Sequence, residues 1–168
     1  MIIRGKTYVC GDHINTDLII PGRYCHLPTE EMATHCMEDF DPAFFQTFER
    51  GGVIVAGVNF GCGSSREEAP VTLKAAGVAC VVAAGFARIF FRNCINIGLP
   101  IVESPEAVCR ICQGDLLEVD TAAGTVSVGS LVFKTAPFPP FMQELIARGG
   151  LVADARARLA STSGEDRA

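Results

Sequence analysis

The segment VIVAGVNFGCGSSREEAP (residues 53–70) joins an apolar, β-branched run to a turn that is rich in small and polar residues. Residues 53–58 contain no polar side chain, which is typical of a strand covered on both faces. Glycine, cysteine, serine and arginine follow at once, and the residues after Ser65 are compatible with a helix. We therefore predict a buried strand, then a tight turn, then a helix.

Two further apolar runs follow this segment. Residues 78–83 and 99–103 predict two more strands, separated by a helix that ends at Gly98. The predicted buried face of that helix consists of Phe86, Ile89, Phe90, Cys94 and Ile97. Strands that alternate with helices in this way predict a parallel sheet with right-handed crossovers.

The flanking segments add smaller elements. We expect short helices at residues 29–36 and from Asp41-Pro42 to Gly51, and a final amphipathic helix at residues 140–148. Residues 116–135 predict antiparallel strands with a turn near Ala123-Gly124. The expected fold class is α/β, with a parallel central sheet and an added antiparallel layer.

The composition limits the class of protein. The chain has 168 residues, 49% apolar and 20% charged, with a net charge of −5, which argues against a sequence-independent nucleic-acid binder. No apolar stretch approaches the roughly 20 residues that span a bilayer, and the first residues lack the regions of a signal peptide. We expect a single cytoplasmic domain over residues 1–168, with a polar tail from about residue 157 and no nucleic-acid or membrane partner.

Eight cysteines raise the question of disulfides and metals. Without a secretion signal, and with Cys10, Cys80 and Cys94 in apolar contexts, reduced and mostly buried thiols are the better interpretation. Cys109 and Cys112 form a C-x-x-C pair, but no second pair or nearby histidine completes a four-ligand zinc site. We predict no metal site in this chain; a metal or redox role of this pair is the alternative.

The turn after the first predicted strand has the features of an anion site. Open α/β sheets bind ligands at the carboxyl ends of their strands. Ser65 and Glu68 have the spacing of a capping box, and a helix N-terminus favours an anion. Gly61 and Gly63 allow close approach of the backbone, while Arg66 offers a planar fork of donors to a carboxylate. A capped turn with an exposed arginine is the alternative interpretation.

Other motifs do not fit this turn. A dinucleotide fingerprint needs a third glycine where the chain has Arg66, and a phosphate-binding loop needs a lysine that is absent. A nucleophile elbow needs a glycine two residues after its serine. Cys62 as a catalytic thiol would need a histidine, and all three histidines are remote in sequence.

Three blocks of sequence carry a family resemblance: GDHINTDLIIPGRY (residues 11–24), NFGCGSSRE (residues 59–67) and FARIFFRNCINIGLP (residues 86–100). Together, and over about residues 3–141, the chain resembles the swivelling domain of the aconitase superfamily, in the free-standing small-subunit form of 3-isopropylmalate dehydratase and homoaconitase. The resemblance implies a swivelling β/β/α three-layer fold. It also implies a separate large subunit, in a heterodimer or heterotetramer, that carries a 4Fe-4S iron–sulfur cluster.

The resemblance also implies a reaction. Water is removed from a hydroxy di- or tricarboxylate and added back through an unsaturated intermediate, with the partner's iron as Lewis acid. The expected substrate is 3-isopropylmalate, in leucine biosynthesis. Homocitrate and a dimethylmalate are alternative substrates. Two other hypotheses for the function of the chain are a non-catalytic binding or assembly module of the same fold, and a self-sufficient metalloprotein that uses the C-x-x-C pair.

The resemblance assigns roles to single residues. Ser64 matches the base, Arg66 matches the arginine that holds a substrate carboxylate, and Ser65 helps to position the substrate or to stabilise the serine oxyanion. Asp12 and His13 match an Asp-His pair near the active site. They either take part in the reaction or hold the loop.

Further positions concern substrate recognition. Arg23 is expected as a second carboxylate ligand, and His26 lies in the loop that reads the variable group of the substrate. A neutral imidazole can pack on a branched alkyl group, whereas an imidazolium can pair with a carboxylate. Arg88, Arg92 and Asn93 belong to the third block, where we expect them to order the helix and its neighbours.

Overall fold

The computed structural model describes the backbone of residues 1–165 and the side chains of residues 1–160. The strands are β1 (Ile2–Val9), β2 (Val53–Ala56), β3 (Cys80–Ala83), β4 (Ile101–Glu103), β5 (Leu116–Asp120), β6 (Thr125–Val128) and β7 (Leu131–Lys134). The helices are α1 (Thr16–Ile19), α2 (Thr29–Thr34), α3 (Phe44–Thr47), α4 (Glu68–Ala75), α5 (Arg88–Ile97), α6 (Pro105–Val108), α7 (Pro140–Ala147) and α8 (Leu151–Glu165), with a 3₁₀ turn at Gly22–Tyr24.

One seven-stranded sheet, in the order β4-β3-β2-β1-β5-β6-β7, organises the chain. Strands β1 to β4 are parallel, and β5 to β7 join as antiparallel neighbours. β1 belongs to both halves, because its residues 2–6 pair with β5 and its residues 7–9 pair with β2. The predicted parallel centre and antiparallel addition are therefore both confirmed.

The central β2–α4–β3–α5–β4 unit follows the prediction. β2 and β3 are buried along their whole length, as their uninterrupted apolar sequences require. Helix α5 ends at Gly98, whose φ of 72° is the left-handed conformation that glycine adopts most easily. The buried apolar residues of both halves of the sheet form one continuous core.

The predicted buried face of α5 is wrong at Ile89, which is 52% exposed. The helix begins at Arg88, so Phe86 lies outside it and does not share its phase. Its buried stripe consists of Phe90, Cys94 and Ile95. Ile89 points about 100° away from Phe90 around the helix axis.

The predicted helix from Asp41 to Gly51 is reduced to α3. The Asp41 carboxylate accepts the backbone N–H of Ala43 at 2.9 Å and the Tyr8 hydroxyl at 2.6 Å, and so forms a turn before the helix. Phe48 is extended, and its ring stacks on Phe44 with centroids 4.8 Å apart in the core. This aromatic packing ends the helix before Gly51.

The C-terminal region is more helical than predicted. α7 confirms the expected helix, but the expected frayed tail from residue 157 continues α8 to Glu165, and its last three residues lie outside the described residues. The Asp154 carboxylate is 5% exposed and pairs with both Arg148 and Arg158. Asp154, in the first turn of α8, thereby joins this helix to Arg148 at the end of α7, and the polar composition of the segment did not indicate a helix.

Candidate active site

The loops that follow β1 and β2 run side by side. Beyond the strands, backbone N–H groups donate across the two loops, from Cys10 to Val55 (2.7 Å), Gly57 to Gly11 (3.1 Å), His13 to Val58 (2.9 Å), Gly61 to Ile14 (2.7 Å) and Thr16 to Cys62 (2.8 Å). This ladder brings the first two sequence blocks together at the carboxyl ends of their parallel strands.

The third block lies at the same carboxyl ends of the strands, where Phe60 connects it to the second block. The Phe60 N–H donates to Gly85 at 3.0 Å, and the Ala87 N–H donates to Phe60 at 2.9 Å. The Phe60 ring contacts Phe86 and Phe90 edge to face. The three blocks therefore meet at the carboxyl ends of β1, β2 and β3, where an open α/β sheet binds its ligands.

Unusual backbone conformations are concentrated in these loops. His13 and Asn59 have φ of 55° and 59°, and their side-chain nitrogens lie 3.3 Å apart. A left-handed conformation at a residue other than glycine costs roughly 1–2 kcal/mol. Gly61, with φ of 76°, has no alternative, because a Cβ there would lie 2.1 Å from Cγ of Phe90. Such strain is typical of functional sites and is sustained by the ladder.

Ser64 and Ser65 lie exposed at the tip of the turn. Neither hydroxyl makes a hydrogen bond to any side chain or backbone group in residues 1–160. The backbone of Ser64 is fixed, since its carbonyl accepts the Arg66 N–H at 2.7 Å and the Thr16 hydroxyl at 3.3 Å. The turn thus holds a serine backbone firmly and leaves its hydroxyl available.

The predicted capping box of Ser65 and Glu68 is wrong. Helix α4 begins at Glu68, its N-cap residue is Glu67, and no side chain caps it. The bond from the Arg66 N–H to Ser64 closes a tight turn, so these residues do not enter the helix. The serines therefore lie in the loop before α4 rather than at its N-terminus.

Arg66 is the better buried of the two predicted carboxylate ligands, with a side chain 18% exposed. Its Nη1 donates to Oδ1 of Asp17 at 2.7 Å and to the carbonyl of Ile20 at 2.9 Å. The hydrogen bond to Asp17 raises the pKa of the Arg66 guanidinium, which stays charged.

Arg23, the other predicted carboxylate ligand, is exposed and already paired. It donates two hydrogen bonds to Asp39, at 2.9 and 2.6 Å, and one to Glu38 at 2.9 Å, and its guanidinium lies over the Tyr24 ring. The hydrogen bond from Arg23 lowers the pKa of Asp39.

Asp12 and His13 are part of the loop ladder. Oδ1 of Asp12 accepts the Val58 N–H at 2.8 Å, and a Cβ at Gly57 would lie 1.7 Å from that oxygen. His13 contributes its backbone N–H to Val58 and its carbonyl to the Cys62 thiol at 3.7 Å. These contacts give both residues a part in holding the loop.

His26 is exposed, in a loop that Tyr24 anchors. The Tyr24 ring stacks on His35 with centroids 3.7 Å apart, and its hydroxyl donates to Glu38 at 2.8 Å. Burial raises the pKa of the Cys25 thiol, next to His26, and the positive charge of Arg66 opposes this rise. The turn at Gly22–Tyr24, which leads into the predicted specificity loop, borders Arg66, since a Cβ at Gly22 would lie 3.4 Å from its Nη2.

Three residues that were not predicted as part of the site hold the turn in place: Asn15, Thr16 and Asp17. Oδ1 of Asn15 accepts the Leu18 N–H at 2.9 Å and caps α1. Thr16 binds the backbone of the serine turn, and Asp17 binds Arg66. An Asn N-cap followed by an acidic residue in the first turn is a recognisable helix start, and it was present in the first block.

Two arginines of the third block differ from the prediction. Arg88 and Arg92 are exposed one turn apart on α5 and make no hydrogen bond or ion pair to the described side chains. An ordering role for these two arginines is therefore not seen. They lie next to the ladder contact of Ala87 with Phe60.

The cysteines do not form a metal site. Within the part of the chain that the structure describes, no three His, Cys, Asp or Glu side chains are grouped to hold a metal, and all eight cysteines are free thiols. Cys10, Cys36, Cys80 and Cys94 are buried; burial raises the pKa of Cys10 and of Cys80 to about 12. An iron–sulfur cluster needs grouped thiolates, which this arrangement does not supply.

Among the described helices, none combines the length and apolar character needed to cross a membrane.

Sequence comparisons identify relatives over most of the chain. Residues 15–106 match the protein family described as Aconitase C-terminal domain. The 3-isopropylmalate dehydratase small subunit of Moorella thermoacetica is 58% identical over 155 residues, which cover 90% of this chain and 93% of the relative. That of Clostridioides difficile is 50% identical over 160 residues, covering 94% and 98%.

Two solved structures are similar to this chain. A crystal structure of 3-isopropylmalate dehydratase from Methanocaldococcus jannaschii superimposes with a TM-score of 0.88 at 40% identity, covering 98% of this chain and 99% of that one. Aconitase X from Thermococcus kodakaraensis, at 14% identity and a TM-score of 0.52, shares the fold over 77% of this chain. The likeness to the first structure confirms the predicted fold class.

Proposed function

The chain belongs to the family of 3-isopropylmalate dehydratase small subunits, and on this premise we propose that it supplies the serine and arginine of an active site shared with a large subunit. The reaction is the removal and re-addition of water on 3-isopropylmalate, a step of leucine biosynthesis in the cytoplasm. One observation carries the proposal: the turn of residues 61–66 fixes the backbone of Ser64, leaves its hydroxyl free, and places Arg66 two residues away.

Arg66 binds a substrate carboxylate. A guanidinium offers two parallel N–H donors to a carboxylate, and a partly buried one binds more strongly because water competes less. Arg23 is already paired with Asp39 and Glu38, so it would bind a second carboxylate only by exchanging those partners. Arg66 is therefore the principal carboxylate ligand that this chain contributes.

Ser64 removes the carbon-bound proton. A serine alkoxide is unfavourable in water at neutral pH, so the site must stabilise negative charge and exclude solvent as the proton moves. The Arg66 guanidinium supplies positive charge on the same turn. Ser65, whose hydroxyl is equally free, positions the substrate or stabilises the oxyanion of Ser64.

The openness of the turn supports a shared site. Ser64 and Ser65 are exposed, whereas proton abstraction by an alkoxide requires a dry enclosure. We propose that a large subunit closes over this edge of the sheet. The resemblance assigns a 4Fe-4S cluster to that subunit, where its open iron would act as a Lewis acid on the leaving hydroxyl.

We propose that His26 contacts the side group that differs between the candidate substrates and so determines specificity. The turn that leads into its loop borders Arg66 at Gly22, and a neutral imidazole offers a flat, apolar face to an isopropyl group. An imidazolium would instead favour the additional carboxylate of homocitrate. Replacing His26 by leucine should keep activity on 3-isopropylmalate and abolish any activity on homocitrate.

Reconstitution tests the proposal. The chain is mixed with an anaerobically prepared, cluster-loaded large subunit from the same source, and the unsaturated intermediate is followed by ultraviolet absorbance. 3-Isopropylmalate, homocitrate and a dimethyl-substituted malate are tested in parallel. Ser130→Ala, which alters an exposed serine between β6 and β7, is the matched control for Ser64→Ala.

We expect activity on 3-isopropylmalate that Ser64→Ala removes and Ser130→Ala leaves intact. Equal activity of the two variants would contradict the role of Ser64 and favour a non-catalytic assembly module. Inactivity on all three substrates, with both subunits folded and the cluster intact, would contradict the proposed reaction.

A further inference from the structure

Arg66 is held on one side only. Nη1 of a guanidinium carries two hydrogens, and here both are used, by Oδ1 of Asp17 at 2.7 Å and by the carbonyl of Ile20 at 2.9 Å. Nη2 and Nε donate to no atom of the described side chains or their backbone. The guanidinium is thus anchored at one nitrogen and open at the other two.

This asymmetry determines how a carboxylate can approach. Bidentate binding uses either the Nη1–Nη2 edge or the Nε–Nη2 edge of the guanidinium. The first edge is not available, because both hydrogens of Nη1 are already donated. Resting on the proposed function, we infer that Asp17 is a positioning residue, which fixes Arg66 so that the substrate carboxylate binds at the Nε–Nη2 edge.

Gly22 lies at the opposite end of the guanidinium. A Cβ at Gly22 would lie 3.4 Å from Nη2 and 3.9 Å from Nη1 of Arg66, and Nε is not among its three nearest atoms. The Nη1–Nη2 end therefore faces Gly22 as well as Asp17 and Ile20. The Nε–Nη2 edge is the side that these neighbours leave open.

The same short helix fixes Asp17 and the serine turn relative to each other. Thr16 is 1% exposed; its N–H donates to Cys62, and its hydroxyl donates to the carbonyl of Ser64. Asp17 is the next residue of α1 and binds Arg66. The distance between the base and the carboxylate ligand is therefore set by consecutive residues of one helical turn.

The opposite interpretation is that Asp17 competes with substrate. Its carboxylate is 60% exposed, and an exposed acid could occupy the place of a substrate carboxylate and leave when substrate arrives. The two interpretations predict opposite changes in KM. Removing a competitor lowers KM, whereas removing a positioning residue raises it.

The test uses the reconstituted enzyme with Asp17→Ala and Asp17→Asn. We expect Asp17→Ala to raise KM for 3-isopropylmalate at least tenfold with a smaller change in kcat. Asp17→Asn retains an oxygen acceptor and should recover most of that loss. Glu106→Ala, at an exposed acid on α6, is the matched control and should behave as the wild type.

Arg66 itself can be observed without turnover. In the ¹⁵N-labelled small subunit within the complex, the Arg66 Nε–H signal should shift when 3-isopropylmalate is added, and Asp17→Ala should weaken the affinity read from that shift. An unchanged or lower KM in a folded Asp17→Ala enzyme, or a bound substrate that leaves the Nε–H signal unmoved, would overturn the inference.

Failure of the inference and failure of the proposed function are separable. Wild-type activity that needs Ser64 but not Asp17 would remove only the positioning role. A wild-type complex that neither binds nor converts 3-isopropylmalate would remove the proposed function instead.

Discussion

The buried hydroxyl of Thr16 lies 3.3 Å from the carbonyl oxygen of Ser64 and joins two loops whose residues are 48 positions apart. The adjacent bond from the Thr16 N–H to Cys62 strengthens the same junction. The serine proposed as base is therefore held through its backbone, by the loop that follows β1.

Thr16→Val tests this junction because valine has the same shape without the hydroxyl. Loss of one hydrogen bond typically reduces stability by about 0.5–1.5 kcal/mol, so the protein should remain folded. We expect kcat of the reconstituted enzyme to fall about tenfold through misplacement of Ser64. Steady-state kinetics and thermal unfolding check this; an unchanged kcat would mean that the bond does not position the base.

Gly61→Ala should destabilise the chain strongly. The new Cβ would lie 2.1 Å from Phe90, and the residue would keep an unfavourable positive φ. Overpacking and left-handed strain together should lower the free energy of unfolding by about 3 kcal/mol. Gly11→Ala is the matched control, since a Cβ at Gly11 meets no atom within 4 Å. Denaturant unfolding compares the two, and equal midpoints would contradict the description of the turn.

Arg66→Lys should mainly raise KM. Lysine keeps the charge but cannot form two parallel hydrogen bonds to a carboxylate. A tenfold rise in KM corresponds to about 1.4 kcal/mol of lost binding, and we expect at least that. Steady-state kinetics of the reconstituted enzyme measure it. A decrease confined to kcat would count against a carboxylate ligand at this position.

The buried thiols predict a loss of stability at high pH. Burial raises the pKa of Cys10 and of Cys80 to about 12, against 9.0 when exposed. Between these values the unfolded chain releases protons that the folded chain retains, so stability is full below pH 9 and falls as the pH rises towards 12. Urea midpoints from pH 8 to 11 should decline. Cys80→Ala should flatten the decline, while Cys112→Ala, which removes an exposed thiol, should not.

Arg88 and Arg92 predict a contact of the proposed large subunit. They are exposed on α5 beside the site, and the described side chains give them no ionic partner, although the chain is acidic as a whole. Reversing both charges to glutamate should weaken subunit association at least tenfold and make it less sensitive to salt. Lys134→Glu, on β7 at the far edge of the sheet, is the control. Equal affinities by calorimetry would exclude this surface.

Local sequence patterns predicted the centre of the fold well. The runs at residues 53–58, 78–83 and 99–103 are apolar without alternation, and such runs have few alternatives to buried parallel strands. The observed strand order places the three sequence blocks together at the carboxyl ends of the neighbouring strands β1, β2 and β3. Helix α8 was missed because the segment has no apolar stripe: of residues 151–160 only Asp154 is buried, and it pairs with Arg148 and Arg158.

The details of the site depend on contacts that no local pattern contains. The capping box at Ser65 was predicted from spacing, but the bonds of Ser64 to Arg66 and Thr16 close a turn there instead. The pairing of Asp17 with Arg66 joins residues 49 positions apart, so it becomes visible only when the loops are folded together.

The most direct test of the proposed role of Ser64 is hydrogen exchange of 3-isopropylmalate in D₂O, followed by proton NMR with the reconstituted complex. The hydrogen of interest is the one on the carbon next to the hydroxyl-bearing carbon, which dehydration removes. The wild-type enzyme should replace that hydrogen by deuterium, and Ser64→Ala should slow the replacement by about 10²–10⁴-fold, the usual contribution of a general base. Exchange at the wild-type rate in the Ser64→Ala complex, with the cluster intact and substrate saturating, would contradict the assignment of Ser64 as the base.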